Sequence, residues 1–351
     1  MTSRSVQLVA VGAPLEDRLV ELRELEPGEA LVRVGAAGVC RSDLHYRSGA
    51  SQAGPLPLIP GHEIAGTLEL AGAAAEPILH EHGIVTGTRV SVHYLVSCGH
   101  CDYCIAGHEQ FCRHGAMIGK QVDGGFADFV IVPARNLVRV PDEVSTEAAA
   151  VMMCSTATAL HALHKADVRG GDRVAVFGVG GLGVSAIQLA REMGALTVYA
   201  VDINPERLAL AAGLGSIPVD AVAGDPAAAI EQHAGGGIDC AVELLGRPES
   251  IDAAIRAVGP LGRVAIAGIA DEPVPINTYR DVVGRETVIS GVSDHTRAEI
   301  EYALELSARG RLVFDDVITK TLPLEAAAIN DALDNLATFG PGVRSVVVPN
   351  G

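Results

Sequence analysis

Residues 173–192, RVAVFGVGGLGVSAIQLARE, set an apolar strand-like run directly against a glycine loop and a helical segment. Strand, tight turn and helix in that order open a parallel βαβ unit, which commits this part of the chain to an α/β architecture. Gly178, Gly180 and Gly183 stand in G-x-G-x-x-G spacing, with Gly181 beside the second. The first glycine permits the turn, the second lets backbone approach a pyrophosphate, and the third lets the helix pack on the strand. The helix N-terminus offers free N–H groups and a positive dipole end to the phosphates. The next apolar run, LTVYAVDIN, ends in Asp202. A carboxylate there accepts hydrogen bonds from a ribose diol and repels a 2′-phosphate, which favours NAD over NADP. In a chain of 40 glycines the spacing alone is weak; its place between strand and helix is what gives it force.

Around this unit the texture of the chain changes once. Residues 1 to about 150 read as short strands punctuated by Pro and Gly, among them VQLVAV, EALVRVGAAGVC, GTRVSVHYLV and FADFVIVPARNLVRVP. From STEAAAVMMCSTATALHALHKA onward, helical segments alternate with the strands LTVYAVD, IDCAVELLG, GRVAIAG and ETVISGV, which predicts a doubly wound parallel sheet. An amphipathic helix (RAEIEYALELSARG) and two further strands (LVFDDVITKTLP, VRSVVVPN) follow. At 351 residues two domains are expected, one of residues 1–155 with 290–351 and one of residues 156–289. The N-terminus lacks the pattern of a signal peptide, and the most apolar stretch, AAAVMMCSTATALHAL, reads as a buried helix. A cytoplasmic location without membrane contact is therefore expected.

Seven cysteines remain to be placed. Cys98, Cys101, Cys104 and Cys112 follow C-x2-C-x2-C-x7-C, a spacing that lets four thiolates converge on one tetrahedral zinc and leaves no open position. Such a site is structural; a redox disulfide pair and an iron–sulfur cluster are the other uses of the spacing. A nucleic-acid-binding zinc module is excluded by a net charge of −17 and 3% aromatic residues, since a phosphate backbone needs a basic face and stacked bases need rings. Cys240, inside IDCAVELL, reads as a buried small hydrophobe. Cys40 in GVCRSDLH, His62 in PGHEIAG and Cys154 in VMMCSTA would make a Cys2His set, which leaves a fourth zinc position for water or substrate.

GVCRSDLH, GHEIAGTLELAG, the four-cysteine lobe and GVGGLG occur in this order along nearly the whole chain. The sequence resembles the zinc-dependent medium-chain alcohol dehydrogenases, most closely the shorter microbial members that assemble as tetramers. The resemblance implies an N-terminal β-rich, GroES-like catalytic domain, a Rossmann domain, and a C-terminal return to the first. It implies two zinc ions per subunit, NAD as cofactor, and reversible oxidation of a primary or secondary alcohol to an aldehyde or ketone. Cys40, His62 and Cys154 would bind the catalytic zinc, with Glu63 either a transient ligand or a group behind it. Ser42 and His45 would relay the alcohol proton through the cofactor ribose, and Asp43 would orient His62. Arg41 and Arg344 would meet the pyrophosphate, Arg207 the adenosine, Thr158 the nicotinamide face, and Tyr94 a wall of the substrate pocket. The segment AAAEPILHEHGIVTGTRV runs longer than the family pattern, and Thr88 stands where aspartate is usual. Around the lobe, His80, His82, His93, His100, His108 and His114 read as polar loop residues.

Two rival functions and one rival assembly stay open at this stage. A polyol or amino-alcohol dehydrogenase of the same superfamily would keep Cys40 and His62 but alter the third ligand. A non-catalytic NAD-binding regulator would not transfer hydride. A homodimer is the alternative to the tetramer.

Overall fold

The computed structural model describes residues 1–269, 272–338, 340 and 342–349. The chain divides into two compact units, Met1–Cys154 with Thr296–Gly351, and Ser155–His295.

The first unit opens with an antiparallel pair, β1 (Thr2–Gln7) and β2 (Glu16–Glu21). β1 thus begins earlier than the run VQLVAV suggests and stops at Gln7, because residues 8–15 are needed to turn back through Gly12 (φ 82°). The long strand β3 (Glu29–Val39) carries the sheet, since its Val and Ala residues are buried almost throughout. It ends at Cys40, where helix α1 (Arg41–Ser48) starts. Then come β4 (Glu63–Ala71), α2 (Ala75–Glu81), β5 (Arg89–Val92) and β6 (Leu95–Val96). The segment that runs long against the family pattern is therefore partly helical, as α2. The cysteine lobe holds α3 (Asp102–Ile105) and β7 (Ala116–Met117). β8 (Phe129–Pro133), β9 (Leu137–Arg139) and α4 (Thr146–Val151) complete this stretch.

In the second unit α5 (Ala157–Lys165) precedes β10 (Arg173–Phe177), α6 (Gly181–Glu192), β11 (Thr197–Asp202), α7 (Pro205–Gly213) and β12 (Ile217–Asp220). α8 (Pro226–Ala234), β13 (Ile238–Glu243), α9 (Pro248–Ala257), β14 (Val258–Ile266) and β15 (Val288–Gly291) follow. All its strands pair in parallel, in the order β12-β11-β10-β13-β14-β15. The order reverses beside β10, the strand that feeds the glycine loop, and such a switch point is where an open α/β sheet binds its ligand.

α10 (Arg297–Ala308), β16 (Ile318–Leu322), α11 (Ala326–Ala337) and β17 (Arg344–Val347) return to the first unit. Of LVFDDVITKTLP only Ile318–Leu322 is strand. The main sheet runs β16-β17-β3-β4-β5-β9, with β8 also paired to β3. Its apolar core includes Val32, Ile64, Val90, Phe126 and Leu333, and Cys40 and Cys154 belong to it.

Candidate active site

Three separate pieces of backbone deliver the Cys2His residues to one place. Cys40 is the N-cap of α1, and Asp43 closes a capping box: its Oδ2 accepts the Cys40 N–H at 2.9 Å. Gly49, in the left-handed region at φ 84°, ends the helix. His62 lies just before β4, and Asp43 Oδ1 reaches both the Gly61 N–H (3.2 Å) and His62 Nδ1 (3.3 Å). One carboxylate therefore caps the helix that presents Cys40 and holds the ring of His62. Cys154 sits in a π-helical turn, Met152–Thr156, where the sequence reading expected unbroken helix. The wider turn departs from α spacing at the residue whose thiol is needed, a common place for such a bulge.

One ligand atom each from Cys40, His62, Glu63 and Cys154 lies within 4.8 Å of the others, and all four residues are buried. His62 Nε2 has no hydrogen-bond partner, and neither has Glu63 Oε1. A buried imidazole nitrogen left bare beside two thiols, with Nδ1 fixed by a carboxylate, fits a soft-donor cation such as zinc. The protons of the cluster point the same way. A hydrogen bond from Cys154 holds the Cys40 thiol well below its usual range, against burial and helped by His62. The same bond and burial raise Cys154. Burial opposes charge on His62, but Asp43 and the Cys40 sulfur outweigh it and raise the imidazole. A cation would take the place of these shared protons.

Glu63 faces Arg344 in a buried ion pair, and burial still lifts its carboxyl to about 8. A Cβ on Gly38 of β3 would lie 1.9 Å from Glu63 Oε2, so this glycine makes room for the pair. Arg344, expected at a pyrophosphate, thus has Glu63 as its side-chain partner. Ser42 and His45 are half-buried on α1, three residues apart and so on one face. Cys40 Sγ lies 3.8 Å from Ser42 Oγ. Tyr94 is buried with its ring edge-on to His62 at 5.0 Å. Arg41 is exposed, with Nη1 3.4 Å from the Leu336 carbonyl.

The second cysteine group is a single loop. Cys98, Cys101, Cys104 and Cys112 also bring their sulfurs within 4.8 Å of one another, and none is in a disulfide. Cys101 and Cys104 sulfurs are 3.5 Å apart, Cys98 and Cys104 sulfurs 3.9 Å. Four sulfurs at about 2.3 Å from a tetrahedral zinc stand ~3.8 Å apart, so the spacing suits that ion. His93 lies in the short connection between β5 and β6, a loop position as expected, but it is buried, and burial pushes its imidazole down to about 3.

In the second unit Gly178 adopts φ 97°, and a Cβ on Gly183 would lie 1.9 Å from the Gly178 carbonyl oxygen. At Gly180 a Cβ would meet nothing within 4 Å, which leaves space for an approaching group. Gly181 is the first residue of α6, whose first turn carries no acidic side chain. Asp202 ends β11, and its carboxylate accepts the N–H groups of Val179 (2.7 Å), Ile203 (2.8 Å) and Asn204 (2.9 Å). It braces the glycine loop, a role the spacing did not announce. Arg207 is half-buried in the first turn of α7. Thr158 Oγ1 pairs with Nδ1 of the buried His295 at 3.1 Å. Neither this pair nor the Glu63–Arg344 pair was legible beforehand, because the partners are 137 and 281 residues apart. Cys240 is buried as expected, but its sulfur also lies 2.8 Å from Arg263 Nη2.

Two family models match, the alcohol dehydrogenase GroES-like domain over residues 26–142 and the zinc-binding dehydrogenase over residues 181–309. An alcohol dehydrogenase of Geobacillus stearothermophilus is 36% identical over 92% of this chain and 93% of its own length. An L-threonine 3-dehydrogenase of Bacillus velezensis is 30% identical over 90% of each. A zinc-binding dehydrogenase of Sinorhizobium meliloti, solved with NADP, superposes with a TM-score of 0.89 at 29% identity, covering 99% of this chain and 100% of that one. With the bare imidazole, the paired thiols and the glycine loop, these likenesses establish that the chain is an oxidoreductase belonging to the zinc-dependent medium-chain alcohol dehydrogenase family.

Proposed function

We propose that the protein oxidises a primary or secondary alcohol reversibly, with NAD as hydride acceptor and two zinc ions per subunit. The observation that carries this reading is the convergence of Cys40, His62 and Cys154 around a buried imidazole nitrogen with no partner. Zinc held there would supply a Lewis acid that lowers the pKa of an alcohol proton. The two sulfurs and the Glu63 carboxyl set the charge that a cation must offset, and Arg344 keeps that carboxyl from standing as an uncompensated buried anion. Asp43 accepts from Nδ1 and so leaves Nε2 as the donor to the ion. Ser42 would take the proton the alcohol gives up while handing its own hydroxyl proton on, by way of the cofactor ribose, to His45, which would release one to solvent.

The glycine loop and the N-terminus of α6 suit a dinucleotide pyrophosphate, with Arg41, Arg344 and Arg207 as the cations for phosphates and adenosine. Asp202 favours NAD over NADP: three backbone amides hold its carboxylate in place, and a carboxylate has about four acceptor sites. Thr158, braced by His295, packs on the nicotinamide face, and Tyr94 walls the alcohol site. Cys98, Cys101, Cys104 and Cys112 hold the second, structural zinc. The protein acts in the cytoplasm as a homotetramer, with the homodimer as the alternative, and meets no nucleic acid or membrane. Among the described residues no helix is long and apolar enough to cross a bilayer.

A substrate panel tests this directly. Primary, secondary, aromatic and polyhydroxy alcohols and L-threonine are each offered with NAD and NADP, while metal content is measured on the same preparation. Simple alcohols with NAD should give the highest kcat/KM, with two zinc ions per subunit. A preference for threonine or polyols would move the chain to the rival branch, and a preference for NADP would remove the role given to Asp202.

A further inference from the structure

Beside the four-cysteine loop lies a cleft of about 200 Å³, lined among others by His93, Cys104, Glu109, Asn136, Arg135 and Arg297. Its charges are uneven. Glu109 is already committed, since its Oε1 accepts the Arg297 N–H at 2.8 Å at the start of α10. The Arg297 guanidinium is committed as well, to Glu301 and to the Arg135 and Leu137 carbonyls at 2.6 and 2.8 Å. Arg297 thereby pins the backbone of Arg135. The Arg135 side chain, by contrast, enters no ion pair among the described residues. It lies flat against the cysteine loop: a Cβ on Gly99 would stand 2.1 Å from Arg135 Nη2 and 2.8 Å from Cζ. Gly99 is also in the left-handed region, at φ 75°. Glycine at this position serves the turn between Cys98 and Cys101 and the approach of the guanidinium.

A zinc ion held by four thiolates carries a net charge of −2, and this chain is already strongly acidic, at −17. We propose that Arg135 is the counter-charge to the four-cysteine metal site: its guanidinium stabilises the tetrathiolate centre and slows metal loss, with Gly99 left bare to admit it. The inference rests on the reading that these cysteines hold zinc. It names Arg135 as a positioning and charge-balancing residue with no part in turnover.

The test follows zinc transfer to a chromophoric chelator in excess, in the Cys154→Ala background, where the four-cysteine loop is the remaining zinc site. Arg135→Gln and Arg135→Lys are compared with the parent at low and high ionic strength. A single charge close to a dianion, even in a near-aqueous dielectric, is worth about tenfold in an equilibrium or rate. Arg135→Gln should therefore release zinc about tenfold faster at low salt, Lys should restore most of the parent rate, and salt should shrink the gap. Equal rates in all three proteins overturn the inference, as does a faster release in Gln that neither Lys nor salt changes, which would mean lost packing. Zinc content of the unmutated protein separates the two layers. One ion at the catalytic cluster and none at the loop refutes the zinc reading and the inference together, whereas two ions with unchanged release refute the inference alone.

Discussion

Cys98, Cys101, Cys104 and Cys112 come from one fifteen-residue loop, and three of them are partly exposed. Cys40, His62 and Cys154 come from the end of β3, the approach to β4 and a π-turn, and each is at most 8% exposed. On the reading proposed above, the loop would enclose an ion with sulfur on all sides and would depend on that ion for its shape. The cluster sits inside a packed sheet core that would exist without the ion. With zinc at both sites as proposed, similar donors would serve opposite ends: in one place metal would organise protein, in the other protein would organise metal.

The largest expected effects test that contrast. Cys154→Ala should lower kcat by at least about a thousandfold and remove one zinc per subunit, with circular dichroism and Tm little changed, because the thiol borders a core that stays packed. Cys101→Ser should remove the other zinc and lower Tm by several degrees through loss of the lobe, while a measurable part of kcat survives. If both variants lose activity and stability alike, the two sites are one cooperative unit and the contrast is wrong. Zinc analysis, thermal melts and initial rates on the two proteins decide it.

The contrast also explains what could be read beforehand. The loop was legible because its ligands are close in sequence, and the glycine loop because a turn, a phosphate and a packed helix all impose local spacing. The capping box in CRSD that places Cys40 was no part of the sequence expectations, which gave Asp43 only the task of orienting His62. The π-turn at Cys154 was not legible either, because helix-forming residues such as Ala150 and Met152 are equally content in regular helix; only the demand of the distant His62 and Cys40 selects the bulge. The Arg344–Glu63 pair and the bracing of Val179 by Asp202 are tertiary contacts with no period or motif to announce them. His93 does lie in a loop, between β5 and β6, but its burial was not legible, because it comes with tertiary contacts such as that of Asn136, whose Nδ2 donates to the His93 carbonyl at 2.5 Å.

His93 sharpens the comparison by pH. Burial depresses its folded pKa to about 3, against about 6.5 in an unfolded chain. The unfolded state therefore binds the extra proton between these values, so this contribution to stability is full above pH 6.5 and fades as pH falls toward 3. Its slope is at most about 1.4 kcal/mol per pH unit. In urea titrations between pH 7 and 4, His93→Gln should flatten the acid-side loss of stability by up to that slope. Identical slopes in the two proteins would mean that His93 stays neutral for another reason or is not buried.

The smallest effect belongs to the exposed side of the lobe. Arg113 Nη2 meets Asp102 Oδ2 at 2.7 Å, but the two side chains are 60% and 63% exposed. Water and salt screen such a pair, and holding two long side chains together costs entropy, so exposed pairs are worth about 0–1 kcal/mol. Asp102→Ala should therefore lower the unfolding free energy from urea titration by less than about 1 kcal/mol and leave zinc content unchanged. The buried counterpart behaves otherwise. Arg344→Met removes the partner of a carboxyl with no exposed surface, and stripping one partner from a buried pair costs about 3–5 kcal/mol. A second substitution, Glu63→Gln in the Arg344→Met background, relieves the stranded acid and should recover part of that loss. If Asp102→Ala proves as costly as Arg344→Met, the lobe is held by its surface charges and not by its metal, and the division of labour between the two sites fails.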